Sequence, residues 1–218
     1  MNGLKRLRLK DLASYAFMKV YYWMYISILF LGSTIIGLGV FSIVPSLMAS
    51  FIVARSLASE KHKVKVKVFR LYKESFITYF KKYWLASLGA TLLIFIISFD
   101  ILYFSTGVIM AFNLLFIIFI ILGFLFVNLI IIASYLRVAY ENLELKNLFK
   151  NALAMEIVNM VDVLFMTVSS VGFFMILSKI SGILLVIILP GIFINLSRKI
   201  IERILEKNSI SYYIFNIK

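Results

Sequence analysis

Few residues in this chain have the type and the placing that chemistry requires. Arg55 ends a stretch, residues 20–54, that carries no charge. Asp100 is the only charge in residues 83–136, and Lys179 interrupts a third uncharged block. An ionisable group inside a membrane-spanning segment is costly and is read first as functional. Asp100 has the chemistry to bind a cation in an outward cavity, but none of the three apolar blocks holds a second carboxylate to form a relay. It is expected to face water or to pair with Lys179. Arg55 stands one or two turns from a span end, where its long side chain is expected to reach the polar boundary as an anchor.

The usual catalytic sets are missing. There is no cysteine, which removes disulfides, thiolate nucleophiles and cysteine-bound metals together. The single histidine, His62, sits among lysines, which argues against a Ser-His-Asp machine. No P-loop, HExxH, GxSxG or catalytic carboxylate pair occurs. The expectation is a protein that is not an enzyme and holds no metal or cofactor.

Composition identifies the solvent that must position these residues. Of 218 residues 63% are hydrophobic, and the mean hydropathy is +1.03. That lies well above the 45–50% apolar content typical of soluble chains. The surface of a soluble globule cannot be covered with so little polar material, so the chain is expected to lie in a lipid bilayer. Residues 20–54 would reach about 50 Å as one helix against about 30 Å of hydrocarbon, and must therefore fold back. Gly37, Leu38 and Gly39 followed by Pro45 supply the break. Residues 83–136 are likewise too long for one span and break near Ser105, Thr106 and Gly107. The third block turns near Ser178, Ser181 and Gly182. The expected fold is an all-α polytopic bundle forming a single membrane domain, with spans at 19–36, 41–57, 84–104, 108–136, 161–178 and 182–197. Five spans are the alternative, because the sixth has only 16 residues.

Charge sets the orientation. Of 23 lysines and arginines, all but Lys179 fall in segments 1–18, 58–83, 137–160 and 198–218 or at their borders. Positive residues flanking spans stay in the cytoplasm, so both termini and these segments are expected there. Lys5, Arg6, Arg8 and Lys10 read as a cytoplasmic anchor rather than as the start of a cleaved signal.

Within residues 64–83, Phe69, Tyr72, Phe76, Phe80 and Tyr83 form one helical stripe, with Arg70, Lys73, Lys81 and Lys82 largely off it. Such a helix is expected to connect spans two and three while packing under the bundle, to lie among acidic lipid headgroups, or to meet a partner. A role in binding nucleic acid is not expected. A short helix from about Leu145 should run back along the membrane, where it would pair with that basic segment or serve as a solvated connector. Ser46, Ala49, Ser50 and Ala54 form a small-residue packing face. Asn113, Asn128, Ser169, Ser170 and Asn195 are expected to bond across helices. Pro190 and Gly191 are expected to kink the last span.

Residues 32–58, the segment FRLYKESFITYFKKYW and Asp100 at the end of the next span together resemble the YesL-like family of bacterial multi-pass membrane proteins. The positions that carry the resemblance are Gly37, Pro45, Ala49, Arg55, Phe69, Tyr72, Lys73 and Phe76, with a weaker echo over 145–155. The chain departs from the pattern at Ser75, where asparagine is common, and at Leu136 and Arg137, where an aromatic-proline run is frequent. The resemblance implies a helical membrane protein of unknown function, in a bacterial plasma membrane and often found with carbohydrate uptake systems, and thus an accessory that contacts ABC transporter permease subunits. It implies no catalytic residue. The rival readings are a small oligomeric transporter or channel using Asp100 and the Pro190 kink, and a self-protection or stress-response membrane protein.

Overall fold

A computed structural model describes residues 2–59, 68–105 and 110–207. Seven α-helices and no strands are formed by the described residues. They are α1 (Asn2–Ile36), α2 (Ile43–Ser59), α3 (Val68–Ser105), α4 (Met110–Ala139), α5 (Leu145–Val158), α6 (Met160–Ile180) and α7 (Gly182–Lys207). His62, Thr106, Gly107 and residues 208–218 lie outside the described residues.

The fold is a helical membrane bundle, and four of its helices are long and apolar enough to cross: Phe17–Ile36, Val68–Ser105, Asn113–Ala139 and Met160–Ile180. Two expected spans fall short of that standard. At 17 residues α2 measures about 25 Å. In α7 the apolar half ends at Ser197, and the helix then continues through Arg198, Lys199, Glu202, Arg203, Glu206 and Lys207.

The centre of the bundle is α2, which packs on α3, α4, α1 and α7. Its residues Val44, Leu47, Met48, Phe51, Val53 and Ala54 are buried. The outward faces of α3, α4 and α6 instead expose Phe95, Phe99, Leu114, Ile117, Phe165 and Val168, as lipid-facing surfaces should.

The break between α1 and α2 falls at the expected glycines. Helix α1 closes with Gly39 N–H donating to the Thr34 carbonyl and Leu38 N–H to the Ile35 carbonyl. Leu38 and Gly39 both have positive φ, at 57° and 69°. Gly37 has a different task, since a Cβ there would stand 2.3 Å from the Ser42 Cβ.

The basic segment corrects an expectation. It is the beginning of one 38-residue helix that also contains the expected third span, not a separate helix in the headgroup plane. No proline occurs between Val68 and Ser105, and the first glycine is Gly89, so nothing stops the helix at Tyr83. Helix α5 begins at Leu145 as expected, but it packs on α4 and α6 rather than on the basic segment.

Candidate functional site

The polar groups of the bundle collect in four places. The first is the outer side of the opening turns of α3. Arg70, Lys73, Lys81 and Lys82 are exposed there, and Phe69 is 58% exposed. Tyr72, Tyr79 and Tyr83 face inward and are buried, while Phe76 and Phe80 are half-buried. The aromatic stripe is therefore split between surface and interior and does not lie wholly against headgroups. Glu74 pairs with Arg70 at 2.7 Å on the exposed side.

The second place is the small-residue face of α2, where Ser46, Ala49, Ser50 and Ala54 are all buried. Ser46 Oγ lies 2.7 Å from Ser33 Oγ on α1, and the Tyr72 hydroxyl lies 2.6 Å from the same Ser33 oxygen. Ser50 donates to the Ser46 carbonyl at 2.7 Å. The face does more than permit close packing, because it carries a hydroxyl cluster joining α1, α2 and α3. Small side chains at four-residue spacing announced the face, but nothing local announced Tyr72 as its partner.

The third place is built at the end of α4. The last carbonyls of a helix have no partner within it, and Arg55 supplies a donor to one of them. Arg55 donates from Nη1 to the Val138 carbonyl at 3.1 Å. Arg137 donates to the Leu143 carbonyl and, from Nε, to the Tyr83 hydroxyl. Cations at a helix C-terminus also oppose its dipole. Arg55 thus turns inward to cap α4, which corrects the expectation of an anchor reaching outward. Its guanidinium lies 5.8 Å from the centre of the Tyr135 ring. The Tyr135 hydroxyl donates to Glu202 Oε1 at 3.0 Å, and Arg198 pairs with Glu202 Oε2. Arg137 and Arg198 are only 8% and 7% exposed. The buried Nε of Arg198 and the buried hydroxyl of Ser197 have no hydrogen-bond partner among the described residues. Of this cluster the sequence singled out Arg55 alone. Arg137 and Arg198 were legible as topology signals, and the i, i+4 spacing of Arg198 and Glu202 was the one hint of a pair.

The fourth place is the break in α7. Pro190 lies inside the helix, and it has no N–H with which to continue the ladder. Ser27 of α1 repairs the gap, accepting from Gly191 N–H at 2.6 Å and lying 3.4 Å from the Ile188 carbonyl. Beside the break is a cavity of about 330 Å³, lined by Phe30, Leu47, Ile94, Ile131, Pro190 and Phe193 among others. Ser170 brings the only side-chain hydroxyl to its lining, and that hydroxyl donates to its own helix at the Met166 carbonyl.

Other expectations turn out differently. Asp100 is not part of that cavity's lining, and among the described residues no ion pair joins it to Lys179, which is exposed. Asn128 does bond across helices, accepting from Thr167 at 3.3 Å. Ser170 and Asn195 instead bond their own helices, and Asn113 is exposed. One acid went unnoticed. Glu156 on α5 is buried with neither carboxylate oxygen hydrogen-bonded among the described residues, and burial pushes its carboxyl up to about 7. No feature of its neighbourhood in sequence marks it, since Leu153 and Ile157 around it are exposed.

Residues 23–104 match the model of a family described as a protein of unknown function, DUF624, the group to which the YesL-like proteins belong. The match takes in most of the crossing part of α1, from Trp23 on, all of α2 and nearly all of α3. It stops before Tyr135, Arg137, Arg198 and Glu202, and it is shorter than the resemblance read from the sequence, leaving residues 145–155 outside. No curated protein and no solved structure matches the chain.

Proposed function

We propose that this is a non-enzymatic membrane protein of the bacterial plasma membrane, acting by contact as an accessory or regulator of a carbohydrate ABC-type uptake system. The observation that carries this reading is the one-sided presentation of α3. Arg70, Lys73, Lys81 and Lys82 stand outside while Tyr72, Tyr79 and Tyr83 are packed inside. A helix fixed in this way offers its cations without the entropy cost of ordering a free segment. The partners it suits are acidic headgroups and an acidic cytoplasmic surface of a permease subunit. The carbohydrate connection rests on the resemblance to YesL-like proteins.

In this reading the chain crosses six times with both termini in the cytoplasm, α2 and α7 completing the set. Alkaline phosphatase fused after Lys218 should be inactive and a green-fluorescent fusion bright, and the reverse would remove the topology. The function is tested by purifying the tagged protein in mild detergent and identifying co-purifying proteins by mass spectrometry. Recovery of permease or ATPase subunits, lost when Lys81 and Lys82 are both changed to Glu, is the expected result. Repeated recovery of the protein alone would count against the reading.

The cavity beside Pro190 favours a second reading, a small oligomeric carrier. Its oily lining suits an apolar solute and offers nothing to hold an ion. Flux of an apolar solute into liposomes, reduced at least tenfold by Leu47→Trp and untouched by Asp100→Asn, would establish it.

A further inference from the structure

The end of α4 holds more positive charge than it balances. Arg55 and Arg198 meet at Tyr135, Arg55 over its ring and Arg198 through Glu202, while Arg137, next to the Val138 whose carbonyl Arg55 takes, bonds Tyr83 and Leu143; among the described residues Glu202 is the only carboxylate bonded to any of the three guanidiniums. Glu141, in the linker after α4, is exposed and makes no hydrogen bond to the three. Glu156 bonds to none of them either. Arg137 and Arg198 are more than nine-tenths buried, and among the described residues the Arg198 Nε–H meets no acceptor. Taking a guanidinium out of water costs several kcal/mol unless an opposite charge meets it. Carbonyls and tyrosine rings recover only part of that cost.

We propose that this cluster is an oxyanion site, between the ends of α2 and α4 and the interior of α7, for a phosphate group. Guanidinium forks match the oxygens of phosphate in geometry as well as charge. Arg55, which is half-buried, and Glu202, whose side chain is 32% exposed, form its open side. An anion entering there meets Arg55 first and, as Glu202 swings outward, Arg198. The exposed cations of α3 are a different surface, so this site stands independently of the partner-contact reading.

The same chemistry is available from a lipid headgroup and from free phosphate, and two arms of one experiment separate them. Full-length protein in an uncharged detergent is titrated with inorganic phosphate against sodium chloride of equal ionic strength. In parallel it is placed in nanodiscs of phosphatidylglycerol or of phosphatidylcholine. Thermal unfolding is followed in each. Occupancy at a hundred times the dissociation constant should raise the midpoint by about 5–10 °C. A rise with phosphate in detergent identifies a soluble anion, and a rise confined to phosphatidylglycerol identifies the headgroup. In either case the double variant Arg55→Gln, Arg198→Gln should need at least tenfold more ligand. Lys146→Gln with Lys150→Gln, which removes equal charge from exposed positions on α5, should respond as wild type does. Phosphorus NMR of the wild-type protein keeps the test independent of how the variants fold. Line broadening of phosphate, or of the phosphatidylglycerol headgroup, should saturate near one equivalent. The proposal is overturned if neither arm moves the midpoint beyond chloride or phosphatidylcholine, if broadening does not saturate, or if the lysine variant loses the response and the arginine variant keeps it.

Discussion

The two interruptions of the helical backbone, at Gly37–Pro45 and at Pro190, meet the same demand by different means. In hydrocarbon a backbone N–H or C=O without a partner costs several kcal/mol, and water is not there to supply one. At the α1–α2 turn, Ser87 of α3 accepts from Val44 N–H at 3.3 Å and donates to the Val40 carbonyl at 3.1 Å. Thr91 donates to the same carbonyl at 3.1 Å, and Ser42 donates to that of Thr34 at 3.0 Å. At Pro190 one side chain, Ser27, serves both sides of the break. The turn is secured by redundancy. The break in α7 is secured by proximity, because Gly191 brings α7 against the backbone of α1.

The largest effect should come from removing that proximity. A Cβ on Gly191 would lie 2.0 Å from the Trp23 carbonyl oxygen, an obstacle made of backbone that cannot turn aside. Gly191→Val should cost about 3 kcal/mol or more, read as a fall in unfolding midpoint in detergent and in folded yield. Next is Ser27→Ala, which strands the Gly191 N–H at a cost of about 2–3 kcal/mol. Ser87→Ala should cost less, about 1–2 kcal/mol, since the Val44 N–H it strands makes a long bond of 3.3 Å and Thr91 still serves the Val40 carbonyl. Equal losses in these two variants would break the contrast between redundancy and proximity.

Glu156 sharpens the contrast from the other side, being a buried group that borrows no partner. Its folded pKa, about 7, stands above the ordinary value of 4.5. The folded state therefore favours the neutral acid, so its contribution is complete below about pH 4.5 and is lost as pH rises through 7. Glu156→Gln should stabilise the protein by about 1–2 kcal/mol at pH 8 and flatten the slope of stability between pH 4.5 and 7. An unchanged slope would mean that another group titrates there. The smallest change expected is a gain. Leu38 holds a left-handed φ that glycine adopts freely, so Leu38→Gly should stabilise the turn by up to about 1 kcal/mol in the same melts.

What the sequence made legible follows from the range of the forces involved. Bilayer thickness and glycine-proline chemistry act over a few residues, so the break at Gly37, the end of α6 before Gly182 and the start of α5 at Leu145 could be read directly. The small-residue face of α2 was readable for the same reason. The continuity of α3 was less so, because the change from charged to apolar side chains at Tyr83 looks like a boundary while the backbone has no cause to stop. The arginine cluster was least legible. Its members lie far apart in the chain, on α2, α4 and α7, and Arg137 and Arg198 look like ordinary flanking cations until those helices are packed together.

The burial of α2 on all sides has a consequence for how the protein responds to its surroundings. Helices such as α3, α4 and α6, which present apolar faces outward, must follow the thickness of the bilayer by tilting or by deforming it. The ends of α2 are set by other helices, through Ser87 at one and Arg55 at the other. Moving the protein between thin and thick membranes should therefore change the inclination of its outer shell while α2 stays at its length of about 25 Å, a fixed ruler inside an adjustable frame.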